Sequence, residues 1–136
     1  MLKAYCDCSK KEEALAITAI IVTKRLFIDY DLRVLSDVKM TAHGELCAMQ
    51  LALELINRNF NTPQEIIIYS DCESVVRQFG TTLETGLIPR NRAYYEDWVK
   101  LSELAAGHTV TAKYIRGHEK QRTYHTICDY SARAMI

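Results

Sequence analysis

Three runs with strand character open the chain. Residues 2–9 (LKAYCDCS), 14–24 (ALAITAIIVTK) and 25–36 (RLFIDYDLRVLS) are rich in apolar, β-branched and aromatic side chains, with the charged KKEE turn and a tight Lys24-Arg25 step between them. They predict an antiparallel meander. From Gly44 the period becomes helical: Ala48, Met49, Ala52, Leu53 and Ile56 form one stripe through ELCAMQLALELINRNF, and the NTP of residues 61–63 stops it. A fourth strand, EIIIYS (65–70), follows. Ser70 and Glu73 have the spacing of a capping box, which predicts a short helix over DCESVVRQF (71–79) with Asp71 in its first turn. Residues 80–91 read as loop or broken helix, 92–107 as a helix closed by Gly107, and 109–115 as an alternating strand. A polar loop (116–125) leads to a last helix over TICDYSARAMI (126–136).

Three strands, helix, strand, helices, strand and helix make an α/β layer, a mixed sheet covered by helices. In such sheets chemistry collects where strands end and helices begin. The 136 residues hold one real core and are too few for two, so a single domain over 1–136 is expected. The 49% hydrophobic and 25% charged composition excludes disordered and collagen-like classes. Lys plus Arg equals Asp plus Glu at 17 each, so whole-chain charge is silent about partners. The start turns polar almost at once and the longest apolar run, ALAITAIIV, spans nine residues, so neither export nor a membrane partner is expected. Five cysteines without a secretory signal point to reduced thiols and a cytoplasmic location.

Four acids stand at unusual places. Asp7 interrupts the first strand between Cys6 and Cys8, and period-two geometry sends it to the opposite face, beside Lys3 and Tyr5. Alone, it reads as a solvent-facing polar residue. Glu45 heads the apolar stripe of the first helix, three and four residues before Ala48 and Met49. An acid in a first turn suits the helix dipole, but an uncompensated carboxylate on a core-facing stripe is costly and favours a partner such as a cation. Asp71 ends a buried strand, and Asp129 lies in the last helix near the apolar Ile127 and Ala132. Each has an ordinary explanation separately; four converging on one edge of a sheet do not.

The stretches CDCS, GELCAMQLAL, YSDCESVV and YIRGHEKQRTYHTICDYSARA, in that order and on those elements, resemble the ribonuclease H family, type 1 in particular. The resemblance covers essentially the whole chain. It implies a mixed five-stranded sheet, three antiparallel strands then two parallel, with helices on both faces. It implies a metal-dependent endonuclease that hydrolyses the RNA strand of RNA/DNA hybrids, with Asp7, Glu45, Asp71 and Asp129 as ligands to two Mg²⁺ or Mn²⁺ ions. Hard oxygen donors suit those ions, and two of them about 4 Å apart activate a water and stabilise the leaving oxygen. By the same resemblance Asp7 bridges the ions, Asp129 holds the one that activates water, and Glu45 and Asp71 hold the other. His118, in the GH pair of the loop, assists proton movement or product release. A catalytically weak hybrid-binding relative and another nuclease of the superfold are the alternatives; exonucleases usually carry an acid two residues after the first aspartate, where this chain has Ser9.

Setting the four acids aside leaves 13 against 17 bases, a surplus of four positive charges. Lys113, Arg116, Lys120 and Arg122 crowd the strand and loop beside His118, where a phosphate backbone would lie; a solvated loop is the bland alternative. The backbone around Cys8 and Cys72 is expected to meet the hybrid. Those two cysteines stand where the family usually has glycine and serine, and His125 where asparagine is common. A basic insertion found in some members is represented only by Arg90 and Arg92, and a monomer is expected. Cys6 and Cys8 with His118, His125 and Cys128 are a conceivable zinc set, but the chain has no C-x-x-C pair.

Overall fold

A computed structural model describes residues 1–24, 26–38, 40–116 and 134. Strands β1 (Leu2–Lys11), β2 (Ala14–Thr23) and β3 (Leu26–Leu35) precede helix α1 (Thr41–Asn59). Strand β4 (Glu65–Ser70), helices α2 (Glu73–Thr85) and α3 (Tyr95–Ala105), and strand β5 (Thr109–Tyr114) follow. The sheet order is β3-β2-β1-β4-β5. β1 with β2 and β2 with β3 are antiparallel, whereas β1 with β4 and β4 with β5 are parallel. The meander and the two parallel strands expected from the sequence are therefore present. Of the helix expected over 126–136, only residue 134 is among the described residues, and it is helical.

Alternation along β1 puts Leu2, Ala4, Cys6 and Cys8 into the main core, where Ile66 and Ile68 of β4 join them. The stripe Ala48, Met49, Ala52, Leu53 and Ile56 of α1 closes over that face, and Phe79, Trp98 and Leu101 extend it through α2 and α3. β2, flanked by β1 and β3, is buried without interruption from Leu15 to Val22, which explains its unbroken apolar run. No helix among the described residues is long and apolar enough to cross a membrane.

Helices α1, α2 and α3 each differ from the periodicity reading at one boundary or more. α1 begins at Thr41, because the Gly44 N–H already bonds the Met40 carbonyl at 3.0 Å. Glu45 accordingly sits beyond the first turn, and no acid occupies that turn. α2 starts at Glu73, after Asp71 rather than around it, and has no side-chain cap. It then continues through Gly80 to Thr85, where Gly86 turns left-handed at φ 72°. Phe79 and Thr82 are buried, and that burial carries the helix across a glycine that periodicity alone reads as a break. α3 starts at Tyr95, three residues after Arg92, because Tyr94 is left-handed at φ 60°.

One glycine matters for its missing side chain. A Cβ on Gly44 would collide with the Cys8 Sγ and lie 2.8 Å from the nearer Leu15 methyl. The helix therefore rides on β1 and β2 at backbone distance. We expect Gly44→Ala to destabilise the chain by about 1–3 kcal/mol through overpacking, read as a lower denaturant midpoint with an unchanged slope. Combining it with Cys8→Ala should recover part of the loss, since the two changes share one contact; strict additivity would show that the collision is not the cause.

Candidate active site

β1 pairs with β4 only as far as Tyr5 opposite Tyr69, then runs on past the carboxyl end of its parallel neighbour. Asp7 lies on that overhang and Asp71 directly after β4. The crossover into β4 is α1, and it brings Glu45 to the same end. Ligand oxygens of Asp7, Glu45 and Asp71 all lie within 4.8 Å of one another. Asp7 is 2% exposed and Glu45 3%, while Asp71 is half-buried. The solvent-facing reading of Asp7 does not hold, although the residue alternates with Cys6 and Cys8 as expected.

Two donors hold the Glu45 carboxyl in place. The Cys8 backbone N–H donates to Oε1 at 3.2 Å, and the Ser70 hydroxyl donates to Oε2 at 3.3 Å. Ser70 Oγ in turn accepts the Cys72 N–H at 3.2 Å. The expected capping residue thus acts two positions before the N-cap Cys72 and ties the end of β4 to α1. Its sequence signal, a serine at a helix start, was visible but pointed to the wrong partner. Close approach at Gly44 is what lets Glu45 reach the β1 backbone.

Electrostatically the cluster is a conflict. Burial first, then the charges of Asp7 and Asp71 and a hydrogen bond with Asp7, raise Glu45 well above the usual carboxylate range. The Cys8 thiol is likewise pushed up, by burial and then by Glu45 and Asp7. Hard oxygen donors converging this closely fit a divalent cation of the Mg²⁺ or Mn²⁺ kind, whose charge would offset the repulsion.

The remaining candidates divide into four groups. The Cys8 side chain is 8% exposed and turned under Gly44, so its backbone rather than its thiol meets the cluster. Cys72 is the half-buried N-cap of α2, with Sγ 3.6 Å from the Ser74 hydroxyl. Lys113 is exposed on β5 opposite Tyr69, and Arg116 is exposed just past Ile115, whose N–H bonds the Ser70 carbonyl at 2.9 Å. Arg116 therefore leaves the sheet beside the acids. His118, Lys120, Arg122, His125, Cys128 and Asp129 lie outside the described residues. Arg92 is engaged internally, donating to Thr82 Oγ1 at 3.0 Å and lying 5.0 Å over the Trp98 ring.

Known proteins give a consistent picture. The chain superimposes on the crystal structure of RNase H1 from the halophilic archaeon Halobacterium salinarum NRC-1 with a TM-score of 0.73 at 15% identity, covering 97% of this chain and 94% of that one. It superimposes on the N-terminal RNase H domain of rv2228c from Mycobacterium tuberculosis with a TM-score of 0.78 at 12% identity, covering 98% and 91%. A third similar structure is LC11-RNase H1 in complex with RNA/DNA hybrid, with a TM-score of 0.75, 12% identity and 99% of both chains covered. These likenesses show the fold. No curated protein matches by sequence. The RNase H family model matches residues 1–136, across every element that builds the acid cluster, and the chain belongs to the RNase H family.

Proposed function

We propose that the protein is a metal-dependent endonuclease that hydrolyses the RNA strand of RNA/DNA hybrids by a two-metal mechanism. The observation that carries this reading is the convergence of Asp7, Glu45 and Asp71 within 4.8 Å at the carboxyl end of β4 in an RNase H family fold. Asp7, Glu45 and Asp71 would hold the ions, and Asp129, outside the described residues, is the proposed fourth ligand by its place in the sequence order. Bound Mg²⁺ or Mn²⁺ supplies Lewis-acid activation of water and charge stabilisation at the leaving oxygen.

The chain's own residues supply position. The Cys8 N–H and Ser70 hydroxyl fix both Glu45 oxygens, so the carboxylate presents one orientation instead of sampling several. Lys113 and Arg116, exposed at the end of β5, are proposed to meet phosphates of the duplex, with Lys120 and Arg122 beyond them. His118 is proposed to handle a proton or ease product release. Telling an RNA strand from DNA depends on the 2′-hydroxyl and duplex shape; the Cys8 and Cys72 backbone and Glu45 are proposed to read them.

Substrate choice tests the reading directly. End-labelled RNA/DNA hybrid, double-stranded RNA, double-stranded DNA and single-stranded RNA, compared at low salt with Mg²⁺ and with Mn²⁺, should show internal cuts in the RNA strand of the hybrid alone, leaving 5′-phosphate and 3′-hydroxyl ends. Equal cutting of double-stranded DNA would replace the proposal with a resolvase-like activity. Binding without cutting in either ion would replace it with a non-catalytic role.

Asp7→Asn should abolish hybrid cleavage and leave the metal-free fold intact or more stable, by the equivalent of about 1 kcal/mol or more, because it removes a buried like charge beside Glu45. A rate within about tenfold of the unsubstituted chain at saturating Mg²⁺ would remove Asp7 from the site.

The raised Glu45 value also sets a pH dependence. The folded chain holds the Glu45 proton more tightly than the unfolded chain, so this contribution is fully present below the ordinary value near about 4.3 and is lost as pH rises through the raised one. Chelator-treated protein should therefore lose Tm as pH rises above the ordinary carboxylate range more steeply than Glu45→Gln does, and excess Mg²⁺ should flatten the loss. Matching slopes for the two chains would mean that Glu45 does not titrate in this window.

A further inference from the structure

A second group of metal-capable side chains occupies the other side of α1. His43 and Cys47 are one helical turn apart, and Asp97 of α3 faces them, with ligand atoms of all three within 4.8 Å of one another. At about 100° per residue, Glu45 points away from both, roughly 200° round the helix. The geometry points to a transition-metal site of the Zn²⁺ class held by His43, Cys47 and Asp97, distinct from the acid cluster.

The donor set carries the choice of metal. One imidazole, one thiolate and one carboxylate form a borderline-soft set that suits Zn²⁺, whereas Mg²⁺ and Ca²⁺ take oxygen ligands. Two ligands spaced i, i+4 on a helix with a third from a neighbouring element is a common way to present three donors to one ion. A fourth position would be taken by water from the adjoining cavity of about 200 Å³, which these three residues line with Asp37, Gln50 and Glu54.

The surroundings hold the ligands in place. The Asp97 Oδ1 accepts Gln50 Nε2 at 3.1 Å, and the same amide donates to the Asp97 carbonyl at 2.9 Å. The His43 ring stacks on Tyr94 with centroids 4.0 Å apart and planes 11° from parallel. Tyr94 makes that stack from a left-handed backbone at φ 60°, a conformation a tyrosine adopts only under constraint. Such outer partners orient ligands and tune affinity. Arg33 and Lys100 on the cavity wall are both paired with Glu54 at 3.1 Å, and the Lys100 charge also favours the ionised Asp97 carboxylate.

Without metal, the His43 Nε2–H donates to Asp97 Oδ2 at 2.6 Å. Burial works against the Asp97 charge, but hydrogen bonds from Gln50 and His43 outweigh it and hold this carboxyl below its usual range. Binding replaces the His43–Asp97 bond: ligands about 2.05 Å from a tetrahedral centre stand about 3.3 Å apart, so the pair opens by under about 1 Å. The metal takes the place of the Nε2 proton, so that the neutral ring carries its single proton on Nδ1 after exchange with solvent, and the Cys47 proton also passes to solvent.

The test is independent of nuclease activity. Reduced, chelator-treated full-length chain in excess Mg²⁺ is titrated with Co²⁺, then with Zn²⁺. One equivalent of Co²⁺ should give the visible bands of a tetrahedral ion and a thiolate-to-metal charge-transfer band, both erased by Zn²⁺. Cys47→Ala and His43→Gln should each lower Zn²⁺ affinity by about 100-fold or more, since even the loss of an outer partner weakens a site about 10- to 100-fold. Asp7→Asn should keep the spectrum. Absence of the charge-transfer band, or its survival in Cys47→Ala, overturns the proposal. Should Cys47→Ala lose its circular dichroism signature, Asp97→Asn decides: unchanged affinity there also overturns it.

Discussion

Two carboxylates buried side by side constrain this structure more than any other contact. Asp7 and Glu45 are each almost wholly removed from solvent, and burial alone would penalise either charge. Backbone geometry brings them together, and a hydrogen bond between them bridges the pair. Helix α1 lies so close to β1 that the Cys8 N–H can donate to Glu45, and this closeness exists because residue 44 carries no side chain. Ser70 then links the same carboxyl to the end of β4. The site is therefore held by hydrogen bonds from the scaffold while its charges push apart, a state that a divalent cation relieves.

Topology supplies the third acid. Because β1 and β4 are parallel neighbours, their carboxyl ends lie on the same edge of the sheet, and Asp71 follows β4 where β1 overhangs it. The crossover that parallel pairing requires is α1 itself. The helix that closes the core thus also carries Glu45, so packing and site geometry are coupled. A change that moves α1 outward alters both at once.

The same helix presents different chemistry on its other side. Glu45 meets oxygen donors at the sheet edge, whereas His43 and Cys47 turn toward α3 and meet Asp97. Hard and borderline-soft donors are kept apart by the helix diameter, and the Gln50 and Tyr94 contacts serve only the second group. α1 is in this sense the hinge between the sheet and α3, with ionisable side chains on two faces and an apolar stripe between them.

The succession of strands along the chain and the helical stripe from Ala48 to Ile56 were legible in the sequence, because hydrophobic period and residue type are local properties, whereas Asp7 read locally as solvent-facing and joined Glu45 and Asp71 only through the family resemblance. The set of family motifs was legible for the same reason, as a fixed order of short stretches. Helix ends were not: α2 crosses Gly80 because Phe79 and Thr82 find a core to enter, and α1 starts at Thr41 where no side-chain cap marks it. Ser70 looked like a cap until the fold placed Glu45 within reach of its hydroxyl. His43 and Cys47 share one face by spacing alone, but Asp97, fifty or more residues away in the chain, joins them only through the packing of α3 on α1. Local patterning determined which residues could be buried and which were chemically able; long-range packing alone decided which of them meet, since contact between distant segments depends on how close the backbones come.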